Sequence, residues 1–217
     1  VVESNKRLIF IVVFFSGLVI SGIQPKDYFT WFLEVLPALL AFAILAWTYR
    51  RFRFTDMVYL LILVECYILF IGGHYTYAEV PLFNWIRDYL GGGRNNYDKL
   101  AHFMQGFIPA MLVREFLIRL QVIARKSWLP FVVVCICVTI SVLYEFFEWF
   151  MAVATGEAAE AFLGTQGYVW DTQSDMLMAM IGATVAMLTM ARWQDRQIGA
   201  LARLQAKADS VLKTESV

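Results

Sequence analysis

The chain has only two histidines, His74 and His102, and each sits where an apolar run meets a polar segment rich in acids. His74 closes one run, Asp98 and His102 open the next, Glu145 and Glu148 lie near the end of a later one, and Asp171 and Asp175 open the last. A mixture of imidazole and carboxylate donors suits a divalent Zn, Mn or Fe ion. Thiolate chemistry is not indicated, because Cys66, Cys135 and Cys137 lie inside apolar runs and form neither a disulfide framework nor a CxxC knuckle. A metal held by His74, Asp98, His102, Asp171 and Asp175 could polarise an ester or phosphoryl oxygen, or acidify a bound water. Glu145 and Glu148 are then the candidate general bases.

Helical phase decides which of these groups can share a face, since each residue advances about 100° around the axis. Asp98, His102 and Gln105 form one stripe, and Tyr144, Glu145 and Glu148 a second. Asp171 and Asp175 form a third, continued by Ala179 and Gly182, whose small size lets a neighbouring helix come close. Glu65 lies nine residues before His74, about half a turn away in a continuous helix, and is expected outside the cluster. Lys99 and Arg94 are the nearby cations, so a salt-bridge network without metal is the structural alternative. Asp98 and Asp171 also suit helix N-termini electrostatically.

The elements that must carry these residues are membrane spans. A 60% hydrophobic, 16% aromatic chain of 217 residues with mean hydropathy +0.61 fits lipid better than water, and its zero net charge gives no bias toward nucleic acid. A bilayer core needs roughly 20 apolar helical residues per crossing. Six stretches approach this: 8–23, 31–49, 57–73, 100–120, 128–150 and 171–191. The expected fold is therefore an all-α polytopic transmembrane bundle of about six spans, followed over 192–217 by a C-terminal amphipathic helix. Fourteen of the 18 Lys and Arg residues fall before the first span, between the second and third, around the junction of the fourth and fifth, and after the sixth. Only Lys26, Arg87, Arg94 and Lys99 fall in the other connections, which places both termini in the cytoplasm and the His and acid cluster at the outer face.

Lys6 and Arg7 before an apolar run also resemble the start of a signal peptide, but the run is long for one and no A-x-A site follows, so retention is the expectation. The connection 74–97 mixes Tyr75, Tyr77, Phe83, Trp85 and Tyr89 with polar residues, as suits the membrane interface or a small lid. Asn95 and Asn96 are candidate caps for the span that follows. In the tail, Ile198, Leu201, Leu204, Ala208 and Val211 recur at helical spacing, the pattern of a helix that lies on the membrane or pairs with a partner.

His74-Tyr75-Thr76-Tyr77, Tyr97-Asp98-Lys99-Leu100-Ala101-His102-Phe103, Tyr144-Glu145-Phe146-Phe147-Glu148-Trp149 and Trp170-Asp171-Thr172-Gln173-Ser174-Asp175-Met176 resemble segments of the YjdF-like inner-membrane proteins of bacteria. The resemblance implies a bacterial inner-membrane location and a multi-pass topology, and no activity, since that family is uncharacterised. A partial similarity reaches the VanZ-like membrane proteins through Asp98, Lys99, His102 and Phe103, and implies the cell envelope. That family usually carries Asn where this chain has Ala179. The functional expectation is an envelope protein among membrane lipids with a polar, metal-binding site at the outer face, acting as an enzyme on a lipid or envelope intermediate. The alternatives are a small ion-coupled transporter, in which Glu65 takes part, and a structural or accessory membrane protein.

Overall fold

A computed structural model describes residues 2–156 and 160–215. The described residues are all-helical: α1 (Val2–Ser21), α2 (Tyr28–Thr48), α3 (Asp56–Tyr75), α4 (Pro81–Leu90), α5 (Tyr97–Arg119), α6 (Leu129–Thr155), α7 (Glu160–Leu163), α8 (Asp171–Thr189) and α9 (Ala191–Glu215). A helix occupies each of the six stretches expected from hydropathy. By length and composition, α2, α3 and the helical stretch Lys126–Thr155 can each cross a membrane, and α8 with α9, bent by 62° at their junction, make a fourth candidate as a broken pair. Charges and amides on α5, notably His102, Gln105, Arg114 and Glu115, keep that helix polar for its length. They are also why it carries so much of the buried polar structure. Ala208 and Val211, part of the pattern expected of the tail, have side chains outside the described residues.

α5 is the axis of the bundle, packing along α3, α6 and α8 and touching α9. Its closest partner is α8, and two glycines make that approach possible. A Cβ on Gly106 would sit 1.8 Å from the Ala179 carbonyl oxygen, and one on Gly182 would sit 1.9 Å from the Phe103 carbonyl oxygen. The small-residue stripe expected at Ala179 and Gly182 thus meets α5 backbone to backbone, as small residues allow between membrane helices. α2 packs along α3 and meets α7, while α6 packs along α5 and α8.

α4 stands in the connection whose composition predicts an interfacial segment or a small lid. Pro81 at its first position and Gly91 in the left-handed conformation after its last turn (φ 66°) begin and end it, the usual Pro-first, Gly-last arrangement. Leu82, Trp85, Tyr89 and Leu90 are exposed along it, and Trp85 stacks on Tyr89 at 5.6 Å. Of the two asparagines expected to cap α5, Asn95 forms the bond: its Oδ1 accepts from Tyr97 N at 3.0 Å, whereas Asn96 makes no side-chain cap.

The end of α5 remote from His102 is tied down by buried ions. Glu115, fully buried, accepts from Thr55 N at 2.9 Å, Thr55 Oγ1 at 2.7 Å and Arg119 Nη1 at 2.9 Å. The i, i+4 pairing of Glu115 with Arg119 is the one expected from spacing. Arg114 donates to Gln194 Oε1 at 2.9 Å and Asp195 Oδ1 at 2.7 Å, and Gln194 Nε2 donates to the Met111 carbonyl at 2.6 Å. These bonds clasp the start of α9 against α5. Exchanging Glu115 for Gln removes the charge that Arg119 faces and one acceptor from Thr55. A loss of about 1–3 kcal/mol is expected, read as a lowered Tm in detergent, with a smaller loss for Thr55→Ala. A Glu115→Gln protein as stable as the parent would show that these bonds contribute nothing net.

Candidate functional site

The site is assembled by α5, α6 and α8. Asp98 and His102, one turn apart on α5, point the same way, and His102 Nε2 lies 3.3 Å from Asp98 Oδ1. On the other side of the ring, Nδ1 meets Gln105 Oε1 at 3.0 Å, which fixes the plane of the imidazole. Nε2 therefore faces the space into which α6 sends Glu145 Oε1 and α8 sends Asp175 Oδ1, each 3.9 Å away. Asp98, His102, Glu145 and Asp175 are all buried. Glu145 Oε1 is shut from solvent with no hydrogen-bond partner, an arrangement that costs free energy unless another group supplies a donor or a positive charge.

Beside this lies a layer of cations. Lys99 Nζ reaches Asp171 Oδ1 at 2.5 Å and Asp175 Oδ1 at 2.6 Å. Arg94 bonds Asp98 Oδ2 at 3.0 Å and Asp171 Oδ1 at 2.7 Å. Tyr168 covers both, with its ring centroid 5.6 Å from the Arg94 guanidinium carbon and 5.7 Å from Lys99 Nζ. The connection before α8 is pinned in place by Gln166, whose side chain accepts from Asn95 N at 3.0 Å and donates to Asn95 O at 2.9 Å, and by Arg94, which donates to the Thr165 carbonyl at 2.9 Å. The salt-bridge network foreseen around Arg94 and Lys99 is thus formed.

Asp98, His102 and Asp175 can each offer one ligand atom such that all three atoms lie within 4.8 Å of one another. Ligands on a tetrahedral ion with bonds of about 2.1 Å sit about 3.4 Å apart. The Asp98–His102 separation of 3.3 Å already matches, and Asp175 needs a side-chain shift of the order of 1 Å. Two of the five residues named from sequence as metal ligands are placed elsewhere. His74 turns to the end of α1, where its Nδ1 meets the Ser21 carbonyl at 2.9 Å, and its ring stands edge-on to Tyr75. Asp171 is engaged by Lys99 and Arg94 and lies outside the three-residue group.

Glu65 corrects the sequence reading. Spacing puts it opposite His74 and so outside the cluster, but His74 points to Ser21 and away from the site, so the opposite face of α3 is the one that looks toward it. Glu65 lines a cavity of about 650 Å³ together with Asp98, His102 and Glu148, and its Oε2 is shut from solvent without a partner. Glu34 on α2 went unnoticed. It is buried, lines the same cavity and accepts from Tyr144 Oη at 3.2 Å. The signal was available, since a lone acid in an apolar span is rare without a partner. Tyr77, in the connection after α3, is also buried against this cavity, and burial, reinforced by neighbouring Glu34, holds its phenol well above the ordinary value. It remains a protonated donor at physiological pH.

Residues 6–196 match the family model described as "Predicted membrane protein (DUF2238)". The chain is 43% identical over 181 residues to the inner membrane protein YjdF of Escherichia coli (strain K12), an overlap of 83% of this chain and 87% of that protein. No solved structure matches it.

Proposed function

The chain belongs to the DUF2238 family of predicted membrane proteins, and from that premise we propose that it is a six-span envelope protein whose α5–α6–α8 cluster binds a divalent Zn, Mn or Fe ion and serves catalysis on a lipid or envelope intermediate. The excess of Lys and Arg in alternate connections supports cytoplasmic termini and an outward-facing cluster, with α9 as a cytoplasmic amphipathic helix. The name of the E. coli relative supports an inner-membrane location.

One observation carries the site reading: Asp98, His102 and Asp175 converge within 4.8 Å beside a buried Glu145 oxygen that has no partner. Asp98, His102 and Asp175 hold the ion, and Gln105 orients the imidazole through Nδ1. The ion's contribution is Lewis-acid polarisation of an ester or phosphoryl oxygen. Glu145, the nearer of the two candidate bases, takes a proton from an attacking water, and Glu148 stands on the cavity side of the same helix. Asp171 holds Lys99 and Arg94 in place and so tempers the charge of the other carboxylates. His74 has no part in this reading.

Elemental analysis of protein purified without chelator tests it. About one equivalent of metal is expected, falling at least tenfold in His102→Ala, with a lowered Tm on chelation in the parent only. Metal-free protein whose His102→Ala variant is as stable as the parent would overturn the reading. It would leave the accessory role, which the Lys99 and Arg94 ion pairs favour.

A further inference from the structure

The cavity is not a closed chamber around the cluster. It runs along α2 from Glu34 past Ala41 to Thr48, a distance of roughly 21 Å at the helical rise, or about two-thirds of a hydrocarbon core. α2 and α3 line one side and α5 with α6 the other; α3 packs on α5, so the cavity is a slot floored by that contact, with α2 and α6 at its two rims. Along the slot, Leu40, Ile44, Phe116 and Ile140 line the cavity and are also exposed, at 55, 57, 42 and 37% of their surface. Such side chains within the apolar depth of a bilayer have only hydrocarbon to meet.

The acidic groups and the imidazole of the lining gather toward one end, while the other end offers the Thr48 hydroxyl. At the acidic end Glu34, Glu65, Asp98 and Glu148 line the cavity with His102, while the two cations, Lys99 and Arg94, stand behind Asp98, Asp171 and Asp175 and outside the lining. The Glu34 carboxylate accepts from Tyr144, and Glu65 Oε2 has no donor at all. A ligand at this end meets four carboxyl groups beside the Tyr77 and Tyr144 hydroxyls, with its tail in an apolar slot.

We infer that the slot between α2 and α6 takes the long hydrocarbon chain of an amphiphile entering sideways from the bilayer, whose hydrogen-bond-donating head, an amine or hydroxyl, is received by Glu34, Glu65 and Glu148. This rests on the reading of the neighbouring cluster as a lipid-directed site and names the class of lipid. The volume of about 650 Å³ suits one chain and a small head. An anionic head is disfavoured, because it would bring a further negative charge among carboxyl groups. Tyr144, bonded to Glu34, bridges the two walls at the polar end and sets how far the head can pass.

The test uses full-length protein in phosphatidylcholine nanodiscs with two photoreactive probes, a diazirine-bearing hexadecylamine and the matching hexadecanoic acid, and crosslinks mapped by mass spectrometry. The amine is expected to label slot-lining residues of α2 and α5 about tenfold more than the acid does. Filling the slot with Ala41→Trp, or with Ile44→Trp at its exposed rim, should cut that labelling about tenfold while metal content and Tm stay at parental values. Labelling spread evenly over the lipid-facing helices, insensitive to both variants, would overturn the inference, as would equal slot labelling by the acid. Protein that holds no metal yet keeps amine labelling in the slot would remove the metal site and support the slot.

Discussion

A leucine at Gly106 is expected to cost the protein more than about 3 kcal/mol, and on the proposed metal reading to abolish metal retention, because overpacking here cannot be relieved by a rotamer change. The atoms that a Cβ would meet are the backbone of Ala179, the nearest at 1.8 Å, so α5 and α8 must part along their length. Asp98 and His102 ride on one of these helices and Asp175 on the other, and the same displacement that relieves the clash pulls these three side chains apart. Gly182→Leu should act alike, since its Cβ would meet Phe103 O at 1.9 Å. Gly199 is the control: nothing lies within 4 Å of its position, and Gly199→Ala in α9 should be neutral or stabilising by up to about 1 kcal/mol. Thermal unfolding in detergent with parallel metal analysis reads both effects. A Gly106→Leu protein with parental Tm would mean that the helices are not in backbone contact.

The second large effect is expected at Lys99. Lys99→Met keeps the length of the side chain and removes the cation that bonds both Asp171 and Asp175, at 2.5 and 2.6 Å. Their side chains are only 7% and 5% exposed, so water does little to replace it, and a loss of about 3–5 kcal/mol follows from stranding buried carboxylates. Arg94 still holds Asp171, which leaves Asp175 as the stranded partner. If Asp175 ligates a cation, added Zn or Mn should restore part of the lost Tm in Lys99→Met and little in the double variant Lys99→Met with Asp175→Asn. Equal response of the two variants to metal would remove Asp175 from the ligand set.

How much of this could be read from sequence differs by residue, and the differences have physical causes. Helix phase within one element was reliable: Asp98 with His102 and Gln105, Asp171 with Asp175, and the small Ala179 and Gly182 below them all share the faces that their spacing implies. Phase alone does not say which way a face turns in the bundle. If His74 marks the site, Glu65 faces away from it, yet a bond to Ser21 holds His74 on the far side of α3. Glu34 signals itself only as a lone acid in an apolar span; its partner Tyr144 lies on another element, so nothing in the periodicity of its own span assigns it to the site. α4 was marked by Pro81 and Gly91, but with ten residues it is too short for hydropathy to separate from a loop.

The backbone contact at Gly106 and Gly182 divides the molecule into a chassis and a door. α5 and α8 are seated so closely that the distances among Asp98, His102 and Asp175 are set by covalent geometry and a rigid seam, and thermal motion has little leverage on them. Glu34 belongs to the other part, on α2, whose seat is α3 and whose hydrogen-bonded link to α6 is the Tyr144 hydroxyl at 3.2 Å. Motion of α2 therefore changes the width of the slot without moving Asp98, His102 and Asp175 relative to one another, so on the proposed reading substitutions in α2 alter entry and leave the cluster's geometry as it is.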